Sequence, residues 1–195
     1  MMQAFSFQYS ILPLKRQLNL LYRHCYEFEV AKFLIEHGAD VNAADYRGYS
    51  LLSYLARYDS KYHEFGQFLI DNGADINGRD VLGLESRSGS YPLHNACKSR
   101  SADFARMLLS NGANPNLKDA FNRTPFDYSC KENKPEIVKL LLENGAIIDI
   151  SLLKNFIVDS EVKALKNLIK THLEMGLDRT YNLELHFETF DPELK

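Results

Sequence analysis

Four apolar stretches of this chain end on the same punctuation: Phe33-Leu34-Ile35-Glu36-His37-Gly38-Ala39-Asp40, Phe68-Leu69-Ile70-Asp71-Asn72-Gly73-Ala74-Asp75, Met107-Leu108-Leu109-Ser110-Asn111-Gly112-Ala113-Asn114 and Leu140-Leu141-Leu142-Glu143-Asn144-Gly145-Ala146-Ile147. Glycine just past a helix takes the left-handed conformation that closes the helix end, which a residue with a Cβ adopts only at a cost. Gly38, Gly73, Gly112 and Gly145 therefore read as helix stops, and they lie 35, 39 and 33 residues apart. A stop that recurs at this interval confines the chain to a row of short units, none of which buries its apolar face alone. Such a row presents a surface and does not enclose a reaction.

Start signals recur in phase with the stops. Thr124-Pro125-Phe126-Asp127-Tyr128-Ser129 places a side-chain acceptor at the helix N-cap and a proline at the first helical position, where no N–H is needed. Tyr91-Pro92-Leu93-His94-Asn95-Ala96 follows the same plan, and Ser50-Leu51-Leu52-Ser53-Tyr54-Leu55 is a poorer copy. Between stop and start lie Asp45-Tyr46-Arg47-Gly48, Asp80-Val81-Leu82-Gly83 and Asp119-Ala120-Phe121-Asn122, whose Asp, Gly and Asn suit tight turns. On these motifs the chain resembles the ankyrin-repeat family over roughly residues 20 to 150. The resemblance implies an all-α fold, an ankyrin-repeat α-solenoid of about five helix pairs with β-hairpin-like tips.

The predicted organisation has four parts. Residues 1–19 form an N-terminal segment and the start of a capping helix, residues 20–150 the array with four recognisable repeats, residues 151–180 a degenerate C-terminal capping repeat, and residues 181–195 an acidic tail. Pro13 followed by apolar Leu14, Leu18 and Leu21 suggests the first cap helix, with a partner from about Glu27 to His37. At the other end Gly176 lies 31 residues after Gly145, as the stop of a shortened last pair. Phe5, Phe7, Tyr9 and Ile11, and likewise Leu183, Leu185 and Phe187, alternate with single residues in the period of a half-buried strand. Each segment either folds back over the neighbouring cap or adds to a partner's sheet edge.

Two irregularities interrupt the repeat. Ala96 to Gly112 and Ser129 to Gly145 both span 16 residues, but Leu55 to Gly73 spans 18, which puts two extra residues in the loop around Tyr58 to Tyr62. Gly83 to Pro92 spans nine residues where Gly48 to Leu51 and Asn122 to Pro125 span three. The third hairpin thus carries six extra residues, approximately Glu85 to Ser90. Polar insertions at solenoid tips cluster on the binding face, and they also accumulate by drift where length is tolerated.

No constellation of catalytic or metal-ligating residues emerges. Six histidines are present, yet none has His-Glu-x-x-His spacing, and Cys-x-x-Cys, P-loop, dinucleotide-binding and nucleophile-elbow motifs are missing. His94 sits in the opening motif, where the resemblance implies a hydrogen-bonding structural role; His63 reads as a solvated helix start and His37 as solvent-facing. Asp40, Asp75 and Asp149 follow helix ends and are explained by turns. The chain is therefore expected to be no enzyme and to need no cofactor or metal.

An odd count of three cysteines argues for a reducing compartment, with Cys97 and Cys130 as small core residues at equivalent repeat positions. No stretch reaches the ~20 apolar residues of a membrane span, and Met1 to Tyr9 lacks the basic start of a secretory signal. The expected location is cytoplasmic, or the host cytosol if the chain is an exported effector. A net charge of −3 gives no global footprint for nucleic acid.

The family resemblance implies binding through hairpin tips and the open positions of the first helix of each pair. Carried onto this sequence, those positions are Tyr46, Arg47, Tyr49, Arg57, Tyr58, Leu82, Leu84, Arg87, Lys98, Phe121, Arg123 and Lys131. Tyr and Arg are enriched at interface hot spots, exposed Leu82, Leu84 and Phe121 are costly in water unless covered, and the cations point to an acidic or mixed protein partner. The expected function is a non-catalytic protein–protein interaction module, monomeric when free. The alternative is a secreted bacterial effector or adaptor that recruits a host target through the repeats and acts through a terminal segment.

Overall fold

The computed structural model describes residues 28–45, 47–58, 62–80, 89–99 and 102–147. The expected cap helix from Leu14, the strand-like termini, the last helix pair and the acidic tail all lie outside them. Seven helices are described: α1 Phe28–Glu36, α2 Leu51–Ala56, α3 His63–Asp71, α4 Pro92–Lys98, α5 Ala102–Ser110, α6 Pro125–Lys131 and α7 Pro135–Glu143. Helices α2, α4 and α6 pack in succession as one layer, and α3, α5 and α7 as a second, so the described residues form an all-α repeat solenoid.

The two layers differ because their sequences do. In α4 and α6 every residue but the terminal lysine is buried, since a helix of seven residues sandwiched on several sides has no face for solvent. Helices α3, α5 and α7 have nine residues each and bury one stripe, Phe65 and Leu69 in α3, Phe104 and Leu108 in α5, Ile137 and Leu141 in α7. Helix α1 joins the second layer through Phe28, whose ring lies 4.9 Å from Phe65 and 5.6 Å from Phe68. Within the second layer α3 and α5 approach closely at Gly66, where a Cβ would fall 2.7 Å from Phe104 Cζ and 2.8 Å from Met107 Cε.

Stops and starts behave as the sequence implies. Gly38, Gly73, Gly112 and Gly145 have φ between 81° and 90°. Behind α7, Ala146 N–H donates to Leu141 O at 2.9 Å and Gly145 N–H to Leu142 O at 3.1 Å, the paired closure of a left-handed helix end. Thr124 caps α6 in a full capping box with Asp127, and Ser50 Oγ caps α2 by accepting from Ser53 N–H. The turns are hairpin-like: Asp45 N–H donates to Tyr49 O, Asp80 N–H to Ser90 O and Asp119 N–H to Arg123 O, all between 2.8 and 2.9 Å.

One device, an asparagine four residues after each of the first three stops, went unread in the sequence. Asn42 Nδ2 donates to Gly73 O at 3.0 Å while its Oδ1 accepts from Asp75 N–H at 2.7 Å. Asn77 reaches Gly112 O at 3.3 Å and Asn114 N–H at 2.8 Å, and Asn116 reaches Gly145 O at 2.9 Å and Ile147 N–H at 2.8 Å. Each amide thus spends one donor and one acceptor on the backbone of the next repeat, which fixes neighbours in phase. Truncating one such side chain gives up two hydrogen bonds with a net worth of ~0.5–1.5 kcal/mol each. Asn77→Ala is accordingly expected to lower the urea-unfolding free energy by about 1–2 kcal/mol; an unchanged midpoint and slope would show that the amide carries no register energy.

Candidate functional site

Phasing brings the last residues of the first-layer helices into line. Arg57 follows α2, Lys98 ends α4 and Lys131 ends α6, all three at the same step from the helix start. A cation there also complements the negative end of its helix. Beside them run the hairpins. Asp45 Oδ1 accepts from the N–H groups of Arg47 and Tyr49, both at 2.9 Å, and Asp119 Oδ1 repeats this with Phe121 at 2.9 Å and Arg123 at 3.0 Å. These aspartates build the turns from within.

Three cations of this strip rest on aromatic rings. Arg57 Cζ lies 5.0 Å from the Tyr49 ring centre, Lys98 Nζ lies 4.1 Å from that of Tyr128, and Arg123 Cζ lies 5.9 Å from Tyr128 and 5.7 Å from Phe121. The Tyr54 and Tyr58 rings are 4.9 Å apart. Phe121 is 57% exposed and Tyr58 40% exposed, so both present apolar surface to solvent. Arg57 and Lys131 are exposed, and Arg47, Lys98 and Arg123 are half-buried. Tyr49 departs from expectation: at 9% exposure its ring is a base for Arg57 and not an open contact. Tyr46, Leu82, Leu84 and Arg87 lie outside the described residues.

Behind the strip sits a buried polar layer. Asp80 accepts from Asn95 Nδ2 at 3.1 Å and from Ser50 N–H of the preceding repeat at 3.3 Å. Burial pushes its carboxyl up to about 6 despite those donors and the nearby Lys98. Tyr128 O–H donates to Asp119 Oδ2 at 2.6 Å, and its own proton is held up to about 12, first by burial and then by that carboxylate. Lys98 is lowered from the usual lysine range by burial and by repulsion from Arg57, against the pull of Asp119 and Asp80.

His94 takes the structural part expected of it. Its Nε2–H donates to Arg123 O of the next hairpin at 2.9 Å, and burial drives the ring down to about 4, so the imidazole is neutral at pH 7. Its Nδ1 has no hydrogen-bond partner. The cause is local: Tyr91 stands at the N-cap with no side-chain cap hydrogen bond, at the position where Thr124 bonds to Asp127 in the following repeat. His37 is exposed as expected, its ring stacked on Phe33 at 3.9 Å. Cys97 and Cys130 are buried free thiols; burial pushes Cys97 up to about 12 and Cys130 higher still, which keeps both in the unreactive thiol form.

Lys134 was also unread. Its ammonium donates to the carbonyls of Cys97, Lys98 and Ser99 at the C-terminal end of α4, at 3.4 Å and 2.8 Å for the first two. It thereby ties the fourth repeat to the third on the side opposite the asparagines. Among the described residues, no group of three or more His, Cys, Asp and Glu side chains could hold a metal, and no helix is long and apolar enough to cross a membrane.

Two layers of short helices joined by turns, with cations and aromatic rings recurring in phase along one edge, define a repeat solenoid. The family model described as "Ankyrin repeats (3 copies)" matches residues 81–151, and "Ankyrin repeat" matches residues 21–46. The chain belongs to the ankyrin-repeat family. Repeats of this family are generally protein–protein interaction modules and typically not catalytic. No curated protein gives a significant match to the chain.

Asp80 and His94 make a checkable pair. Asp80 is raised in the folded chain from 3.8 to about 6, so its contribution to stability is complete below pH 3.8 and is lost as pH rises through 6. His94 is depressed from 6.5 to about 4, so its contribution is complete above pH 6.5 and is lost as pH falls through 4. Between pH 4 and 6 the two slopes, each at most ~1.4 kcal/mol per pH unit, offset one another. In urea titrations Asp80→Asn is expected to gain on the unmutated chain as pH rises across that window; a constant difference would show that Asp80 titrates normally.

Proposed function

We propose that the chain binds a protein partner across the strip of hairpin tips and first-layer helix ends, and that the partner segment is acidic. The observation that carries this reading is the in-phase row Arg57, Lys98 and Lys131, flanked by the exposed rings of Tyr58 and Phe121. Large aromatic and arginine side chains together supply the contact area and directional bonding that hot spots need. Glu132 is the neighbouring carboxylate at the end of α6, so cations dominate this edge. The tip positions Tyr46, Leu82, Leu84 and Arg87 belong to the same proposed surface. Buried free thiols at Cys97 and Cys130 favour a reducing compartment for this encounter.

The test replaces three strip residues together. Arg57→Ala, Tyr58→Ala and Phe121→Ala in one chain should reduce capture of partner protein from lysate by more than tenfold, since single hot-spot truncations cost about 2 kcal/mol or more. Circular dichroism should stay unchanged. Undiminished capture by a folded triple variant would overturn the reading.

A further inference from the structure

Cations on the two sides of this molecule are satisfied differently. On the outer helices Arg106 lies 3.4 Å from Glu136 and Lys139 lies 3.9 Å from Glu143. On the strip, Arg57, Lys98 and Arg123 have no carboxylate within ion-pair distance among the described residues. They rest on rings instead: Lys98 and Arg123 both lie over Tyr128, and Arg57 lies over Tyr49.

The carboxylates closest behind them are already spent. Asp119 accepts from two backbone N–H groups and the Tyr128 hydroxyl, and Asp80 from Ser50 N–H and Asn95. Their charge attracts Lys98 from a distance while Arg57 repels it. Arg123 also shares a side-chain hydrogen bond with Tyr128. Lys98 uses one of its three protons on Ser90 Oγ at 3.2 Å. A cation over a ring gains less than one in a charge-assisted hydrogen bond. An arriving carboxylate can add the second without displacing the first.

We infer that Arg57, Lys98 and Arg123 form a row of anchors for the Glu or Asp side chains of an extended acidic peptide segment, whose apolar neighbours lie against Tyr58 and Phe121. The inference rests on the partner surface proposed above and names its central contacts. Charge complementarity selects the occupant. The three cations come from successive repeats, with the half-buried Lys98 in the middle, a row that suits the spaced carboxylates of an extended acidic segment, whereas binding to a nucleic-acid backbone is at odds with a chain of net charge −3.

The full chain can be titrated into fluorescein-labelled octaglutamate and, in parallel, into a labelled oligothymidylate, with anisotropy as the readout. Saturable octaglutamate binding is expected, weakened about tenfold or more by Lys98→Met, a loss equivalent to one charge-assisted contact. The exposed Arg57→Met should weaken it similarly and guards against a folding defect at position 98. The outer double variant Arg106→Met/Lys139→Met should bind as the unmutated chain does. The row of anchors is overturned if octaglutamate does not bind, if the outer variant loses as much as the strip variants, or if oligothymidylate binds more tightly. Should the row fail while Tyr58→Ala/Phe121→Ala still abolishes partner capture, the proposed surface stands without it. Should that variant also capture normally, the surface falls as well.

Discussion

Side-chain amides that reach across repeat boundaries hold the arrangement together. A glycine-closed helix end leaves a carbonyl, and the turn after it an N–H, without a partner in their own repeat. Asn42, Asn77 and Asn116 satisfy such a pair in the following repeat, and because both ends of each amide are used, no sliding of one repeat on the next preserves the bonds. At the hairpin side, Ser50 N–H on Asp80 and His94 on Arg123 O make comparable crossings. Register is thereby set at both edges of the stack, and the alignment of Arg57, Lys98 and Lys131 follows from it.

Hydrophobic burial supplies the cohesion that these polar crossings direct. Leu52, Phe104 and Phe126 are almost completely buried and belong to three successive repeats, so each unit owes much of its core to a neighbour. The same economy explains the buried polar layer. Asp80, Asn95, His94 and Asp119 lie beneath the strip because turns and helix starts bring backbone groups there that water cannot reach, and short polar side chains satisfy them. The unpaired His94 Nδ1 marks the place where Tyr91 stands at the N-cap without a capping side chain, its ring 5.4 Å from that of His94.

Much of the fold was legible in particular residues. The four glycines and the Thr124-Pro125 start carry backbone requirements that few other residues meet, so helix ends could be located without coordinates. The second helix of the first pair was expected from about Glu27 to His37 and spans Phe28–Glu36. The asparagines carried an equally regular signal, four residues past Gly38, Gly73 and Gly112, but an amide in a turn reads first as a local former, and its inter-repeat bonds depend on a neighbour placed by the fold. Lys134 was hidden for a similar reason, as its acceptors lie some 35 residues earlier. On the strip, exposure at Phe121 was readable from an apolar residue in a turn tip. The burial of Tyr49 was not, because it depends on Arg57 folding over the ring, a tertiary contact with no period.

The central claim is that successive repeats stack in phase, so that residues far apart in sequence line up as one surface. Spin labels attached at positions 57 and 131, in a chain carrying Cys25→Ser, measure this directly by double electron–electron resonance. First-layer helices packed at ~8–10 Å place these positions two spacings apart, so a single narrow distance near 20 Å is expected. A broad distribution, or a separation beyond roughly 30 Å, would contradict the stacked register and with it the recognition strip.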